Sequence, residues 1–165
     1  MRFILLSPRK EGNEIREKIK KHAELTHKLF KYMCDKSPFP SDYIEAGLFH
    51  NVAALFFSSR KELEEINTLE IGMGRFEMSS IILECWNFPK GICDTVRYCS
   101  HPNYALSHDI EVNSLILNLA ISLAAKKLGE EWYISIKEPY IELIKRAGLK
   151  TEGIEDFMER VVKKT

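Results

Sequence analysis

The sequence predicts an all-α fold: a bundle of helices packed around one buried central helix at about residues 106–128. Three observations predict it. Apolar residues recur at helical spacing in one segment after another, with little strand-like alternation. The segment at 106–128 is apolar nearly all round, which suits a helix in the middle of a bundle. Turn-forming residues fall at the joints, as in Ser37-Pro38-Phe39-Pro40, Gly72 with Gly74, and His101-Pro102-Asn103.

Taken in order, Met1 to Ser7 reads as a short strand or an extended arm, punctuated by Pro8 and Gly12, so residues 1–13 are expected to form an N-terminal arm and 14–165 the domain. From about Asn13 a helix is expected, with Ile15, Ile19, Leu25, Leu29 and Met33 on one stripe and His22 on the same stripe. It should stop near Asp35, because the prolines that follow cannot continue it. Ser41, with Glu45 nearby, opens a second helix carrying Tyr43, Ile44, Gly47, Leu48, Val52, Leu55 and Phe56. Ser58 to Asn67 reads as a short surface helix.

Gly72 and Gly74 precede an amphipathic segment from Phe76 to Trp86, and Pro89 suits the first turn of a helix running to Tyr98. His101-Pro102-Asn103 reads as a turn. The central helix follows, with Ile110, Val112, Leu115, Ile116, Leu119, Ile121, Leu123 and Ala124, and Gly129 is placed to end it. Two shorter helices close the chain, at about 139–147 and 154–162. There is no internal repeat and no low-complexity segment.

At 165 residues the chain fits one domain with a real core. Lys plus Arg number 24 and Asp plus Glu number 24, so the net charge is zero. That balance argues against a nucleic-acid binder that works by neutralising phosphates. The local group Arg16, Lys18, Lys20, Lys21 and Lys28 reads as a solvated helix face. No apolar run reaches the roughly 18 residues needed to cross a bilayer, and the first residues lack a signal-peptide pattern. A cytoplasmic location is therefore expected. The four cysteines, at 34, 85, 93 and 99, form no Cys-x-x-Cys pair, so they are expected mostly as buried thiols and not as a zinc site.

Two stretches carry more than periodicity. Ala46-Gly47-Leu48-Phe49-His50-Asn51-Val52-Ala53-Ala54-Leu55 resembles the A-G-L-L-H-D-I-G-K-L segment of HD-superfamily proteins. Gly72 to Ser80, continuing to Trp86-Asn87-Phe88-Pro89, resembles the G-x-x-H-x-x-V-G … W-x-L-P block of HDOD domains. The likeness spans about residues 14–162, and only these two blocks are specific. The helical half that precedes the core in full HDOD proteins has no counterpart in residues 1–13, so a minimal version or a fragment is expected.

The resemblance implies where a metal site would stand. A working HD site takes a His from one helix, a His-Asp pair from the next, further His residues and an Asp from the long central helix. Imidazole and carboxylate together hold the ion, which acidifies a water for attack on phosphate. Carried over residue by residue, His22 and His50 match imidazoles, but Asn51 stands for the Asp of the pair and Arg75 for the next His. Ala53 and Ala54 replace the Gly-Lys that often follows the pair. Cys99 and Ser100 stand for a His-His pair, and Ile121 for the last Asp. Two neutral ligands, no carboxylate and a fixed guanidinium make a poor cation site. No metal or other cofactor is expected, and the remnant positions His22, His50, Asn51, Arg75, Cys99 and Ser100 form a candidate ligand-binding cleft. A histidine on an apolar stripe, as His22 is, is more often a hydrogen-bonded core residue than a ligand, and His50 with Asn51 reads as a buried polar pair, with Arg75 as a structural replacement for the ion.

The dipeptide His108-Asp109 sits at the start of the central helix, where capping explains it. His101 reads as a turn residue and His27 as exposed. Nucleophile elbows, phosphate loops and dinucleotide fingerprints are absent, and nothing near Cys99 and His101 suggests an activated thiolate.

Three functions fit these observations. One is a non-catalytic signalling or regulatory module that binds an unknown protein partner or a small ligand such as a nucleotide. Another is a divergent metal-dependent phosphohydrolase acting on nucleotides or cyclic nucleotides, which would have to recruit a carboxylate such as Glu77 or Glu84. The third is a helical docking or oligomerisation unit.

Overall fold

The structure is a computed structural model that describes residues 10–38, 41–56, 74–130 and 145–149. Among the described residues it is all-α: five α-helices and two 3-10 segments, with no strand. The helices are α1 (Lys10–Lys36), α2 (Ala46–Phe49), α3 (Arg75–Cys85), α4 (Lys90–Tyr98) and α5 (His108–Leu128). The segment Met1 to Ser7, the helix expected at Ser58 to Asn67, Gly72 and most of the two closing helices lie outside the described residues.

Helix α1 begins at Lys10, so residues 10–13 belong to the helix and not to an arm. It ends at Lys36, where the Ser37 N–H closes onto the Met33 carbonyl just before Pro38. Its inward stripe buries Ile19, Leu25, Leu29, Phe30 and Met33. His27, expected to be exposed, is half-buried and donates from Nδ1 to the Ile44 carbonyl at 3.1 Å.

The second helix departs most from expectation. In place of one helix from Ser41 to Phe56, α2 is a single turn followed by a 3-10 turn, Val52–Phe56. Side chains divert the backbone bonds that a continuous helix needs. The Ser41 hydroxyl takes the Tyr43 N–H at 3.0 Å. His50 Nδ1 donates to the Gly47 carbonyl at 2.9 Å, which a helix would offer to residue 51. The Ser79 hydroxyl of α3 accepts the Ala53 N–H at 3.1 Å. Helix α2 also lies very close to α1: a Cβ on Gly47 would fall 2.8 Å from the His27 Cα, so only glycine permits this approach.

Helix α3 starts from Gly74, whose N–H donates to the Glu77 carboxylate. Its end explains the Trp86-Asn87-Phe88-Pro89 motif. Asn87 adopts a left-handed φ of 59°, its N–H reaches the Glu84 carbonyl, and the Phe88 N–H reaches the Leu83 carbonyl. This is the Schellman arrangement, with Asn in the glycine position. Pro89 then begins α4, and Phe88 meets Phe49 edge-on at 5.0 Å.

Helix α5 is the centre of the bundle. Ser107 caps it by accepting the Ile110 N–H, and Gly129, at φ 68°, ends it. It packs along α1 and α4, and Ile116, Leu117, Leu119 and Ala120 are fully buried. Each large aliphatic chain buried in this way contributes about 1.5–3 kcal/mol. After the undescribed stretch that follows α5, Lys145 and Arg146 are helical and a turn runs through Gly148 at φ 65°, matching the end expected near Ala147. Ala147 and Leu149 join the core.

Candidate functional site

A buried polar cluster lies inside the bundle. The middle of α1 supplies His22, which is 0% exposed, and its Nδ1 lies 2.8 Å from Glu130 Oε2. The turn after α2 supplies His50, also 0% exposed, with its ring centroid 5.6 Å from that of His22. Asn51, beside it, is buried. The first turn of α3 supplies Arg75, which is 8% exposed, with Cζ 4.7 Å from the centroid of the Phe76 ring. That ring is in turn 6.2 Å from His50.

Arg75 occupies an uncommon place for a cation. The first turn of a helix is the positive end of its dipole, and burial adds a desolvation cost. Its charge is felt by the whole cluster. Burial and then Arg75 hold His22 down to a pKa of about 3. Burial, His22 and Arg75 keep His50 well below the usual range, against the opposing effect of its bond to Gly47. Burial pushes the Cys99 thiol up, although Arg75 pulls the other way. Both imidazoles are therefore neutral at physiological pH, and the inert thiol of Cys99 is no nucleophile.

The hydrogen bonds fix the tautomers. A carbonyl only accepts, so His50 carries its proton on Nδ1 and leaves a lone pair on Nε2. Burial pushes Glu130 up to about 7, with Lys18 acting weakly in the other direction. Above that pH the ionised Glu130 accepts from His22 Nδ1–H, and His22 likewise presents an Nε2 lone pair. Both Nε2 atoms are buried. Two interior lone pairs and one guanidinium are complementary chemistry.

The structure thus brings His22, His50 and Arg75 into one neighbourhood, with Asn51 next to His50 and Cys99 within reach of the Arg75 charge. Ser100 is half-buried and shares a 3.1 Å hydrogen bond with His101. Ile121 is buried in the apolar body of α5. Of the two carboxylates considered on α3, Glu77 caps the helix, and Glu84 lies on its outer face, 2.7 Å from Arg97. His108 is exposed at the start of α5, and Asp109 accepts from Asn113.

Sequence reasoning missed Glu130, the one carboxylate that touches the cluster among the described residues. A Schellman turn places it. Gly129 N–H reaches the Lys126 carbonyl, and Glu130 N–H reaches the Ala125 carbonyl at 2.9 Å, folding Glu130 back over the end of α5. That position usually carries an apolar residue packed on the helix. An acid directly after the terminating glycine of a core helix was the available signal.

The residues do not suit the metal that the HD resemblance would imply. Asn51 offers an amide and Ile121 a hydrocarbon where carboxylates would be needed. Among the described residues no group of three or more His, Cys, Asp or Glu side chains is placed to hold an ion. The Arg75 guanidinium, whose charge reaches both imidazoles, would also repel a divalent ion held between them. No helix among the described residues is long and apolar enough to cross a membrane. No protein-family profile, curated protein or solved structure matches the chain.

Proposed function

We propose that the chain is a non-catalytic regulatory module of the HDOD type, in which an internal guanidinium takes the place of the HD metal ion. The observation that carries this reading is the burial of Arg75 beside both surviving imidazoles, each neutral and each held at Nδ1 by an acceptor. Such a cluster holds helices in register without chemistry to perform. It leaves the domain to act by binding a protein partner or a small ligand.

The test is metal analysis of protein purified without chelators, joined to a phosphatase and phosphodiesterase screen with added manganese. The expected result is substoichiometric metal and no turnover. Stoichiometric metal, with turnover lost on His50→Ala, would overturn the proposal. One observation favours the second reading, a divergent phosphohydrolase. Glu130 on His22 Nδ1 is the carboxylate–histidine contact that often orients a ligating imidazole. The same assay separates the two readings.

A further inference from the structure

The outer face of α1 carries a charge pattern that neither the cluster nor its proposed role uses. Glu14, Glu17, Lys21, Glu24, Lys28 and Lys31 follow one another at alternating steps of three and four, the heptad spacing that keeps side chains on one stripe. The stripe lies opposite the buried face, and its members are exposed apart from the half-buried Glu24. Read from either end, the signs invert. A two-fold axis crossing α1 between His22 and Ala23 would set Glu14 against Lys31, Glu17 against Lys28, and Lys21 against Glu24. Every position meets its opposite charge, and a two-fold interface requires that kind of self-complementarity.

The surface is also shaped for contact. A groove of about 390 Å³ runs beside this face. Four stripe residues, Glu17, Lys21, Glu24 and Lys28, line it together with Lys20, and Leu25 and Leu128 give it an apolar floor. A shallower depression continues it toward Asn13 and shares Glu17 and Lys21. The same charges also stand four apart within the helix, as Glu17 and Lys21 do, in an order that could pair locally. Among the described residues, however, none of the six is in an ion pair.

We infer that α1 is a homodimer interface: two copies of this chain pair α1 antiparallel across a two-fold axis at His22–Ala23. The contact is mostly electrostatic, with the exposed part of Leu128 and the lysine stems supplying apolar contact. It is therefore of modest affinity and weakens with salt.

Charge reversal tests this in the full chain. Sedimentation velocity at about 50 mM salt, where screening is weak, should give a species of twice the 19.1 kDa chain mass. That species should dissociate at about 500 mM salt, where the Debye length falls below about 5 Å. Glu17→Lys should yield monomer by facing Lys28 of the second copy with a like charge, and Lys28→Glu should do the same against Glu17. The double variant, Glu17→Lys with Lys28→Glu, should restore the dimer, with far-UV circular dichroism verifying the helix in each protein. A wild-type chain that stays monomeric at low salt overturns the inference. So does a dimer indifferent to either single reversal, or a folded double variant that stays monomeric.

Discussion

Replacing Glu130 by Gln should raise stability at alkaline pH and leave it nearly unchanged in mild acid. In the folded chain, burial lifts the Glu130 carboxyl from 4.5 to about 7, so the native state favours the protonated form. An acid whose folded pKa is raised contributes stability below its unfolded pKa and loses it as pH rises through the folded value. The window is therefore pH 4.5 to about 7. At about 1.4 kcal/mol per pH unit, the loss reaches at most about 3 kcal/mol by pH 8. Gln imitates the protonated acid, accepts from His22 Nδ1–H through its amide oxygen, and does not titrate. Urea unfolding followed by circular dichroism at pH 4.5 and pH 8 measures the difference. The variant should match the wild type at the lower pH and exceed it by up to about 3 kcal/mol at the higher, or about 6–12 °C in melting temperature for a domain of this size. A wild-type-to-variant difference equal at both pH values would refute the buried-acid argument. His22 supplies the opposite slope. Its folded pKa is depressed to about 3, so its contribution is lost as pH falls from 6.5 toward 3. Between about pH 4.5 and 6.5 the two effects offset one another in the wild type, and Glu130→Gln should expose the histidine slope.

Three further outcomes follow from the same geometry. Arg75→Met removes the cation that lowers both imidazoles, so the titration points of His22 and His50 should rise in histidine-resolved NMR, and unchanged titrations would mean that Arg75 does not act there. Gly47→Ala places a Cβ 2.8 Å from the His27 Cα and should cost about 1–3 kcal/mol by denaturant titration, since backbone has to move. Leu119→Ala opens a cavity at a fully buried position of α5 and should cost about 2–5 kcal/mol, whereas a loss below about 1 kcal/mol would place Leu119 outside the tight core.

The sequence by itself determined the helical class, the central helix and most of its neighbours, because helical spacing and terminators are local properties. The apolar surface of α5, the glycine that ends it, Pro89 ahead of α4 and the prolines behind α1 could all be read one residue at a time. It also singled out His22, His50 and Arg75, the first through its place on an apolar stripe and the others through the HD-like blocks. Only the tertiary structure decided the rest. The helix expected from Ser41 to Phe56 gave way where His50 and Ser79 captured its backbone groups; the first capture is local, and the second depends on the 3-10 turn Val52–Phe56 packing against α3. Glu130 became part of the cluster because α1 and α5 run together, bringing His22 within 2.8 Å of a residue 108 positions away. Protonation followed the same logic: an imidazole or a carboxyl has its ordinary pKa in the chain, and only burial beside a particular neighbour moves it.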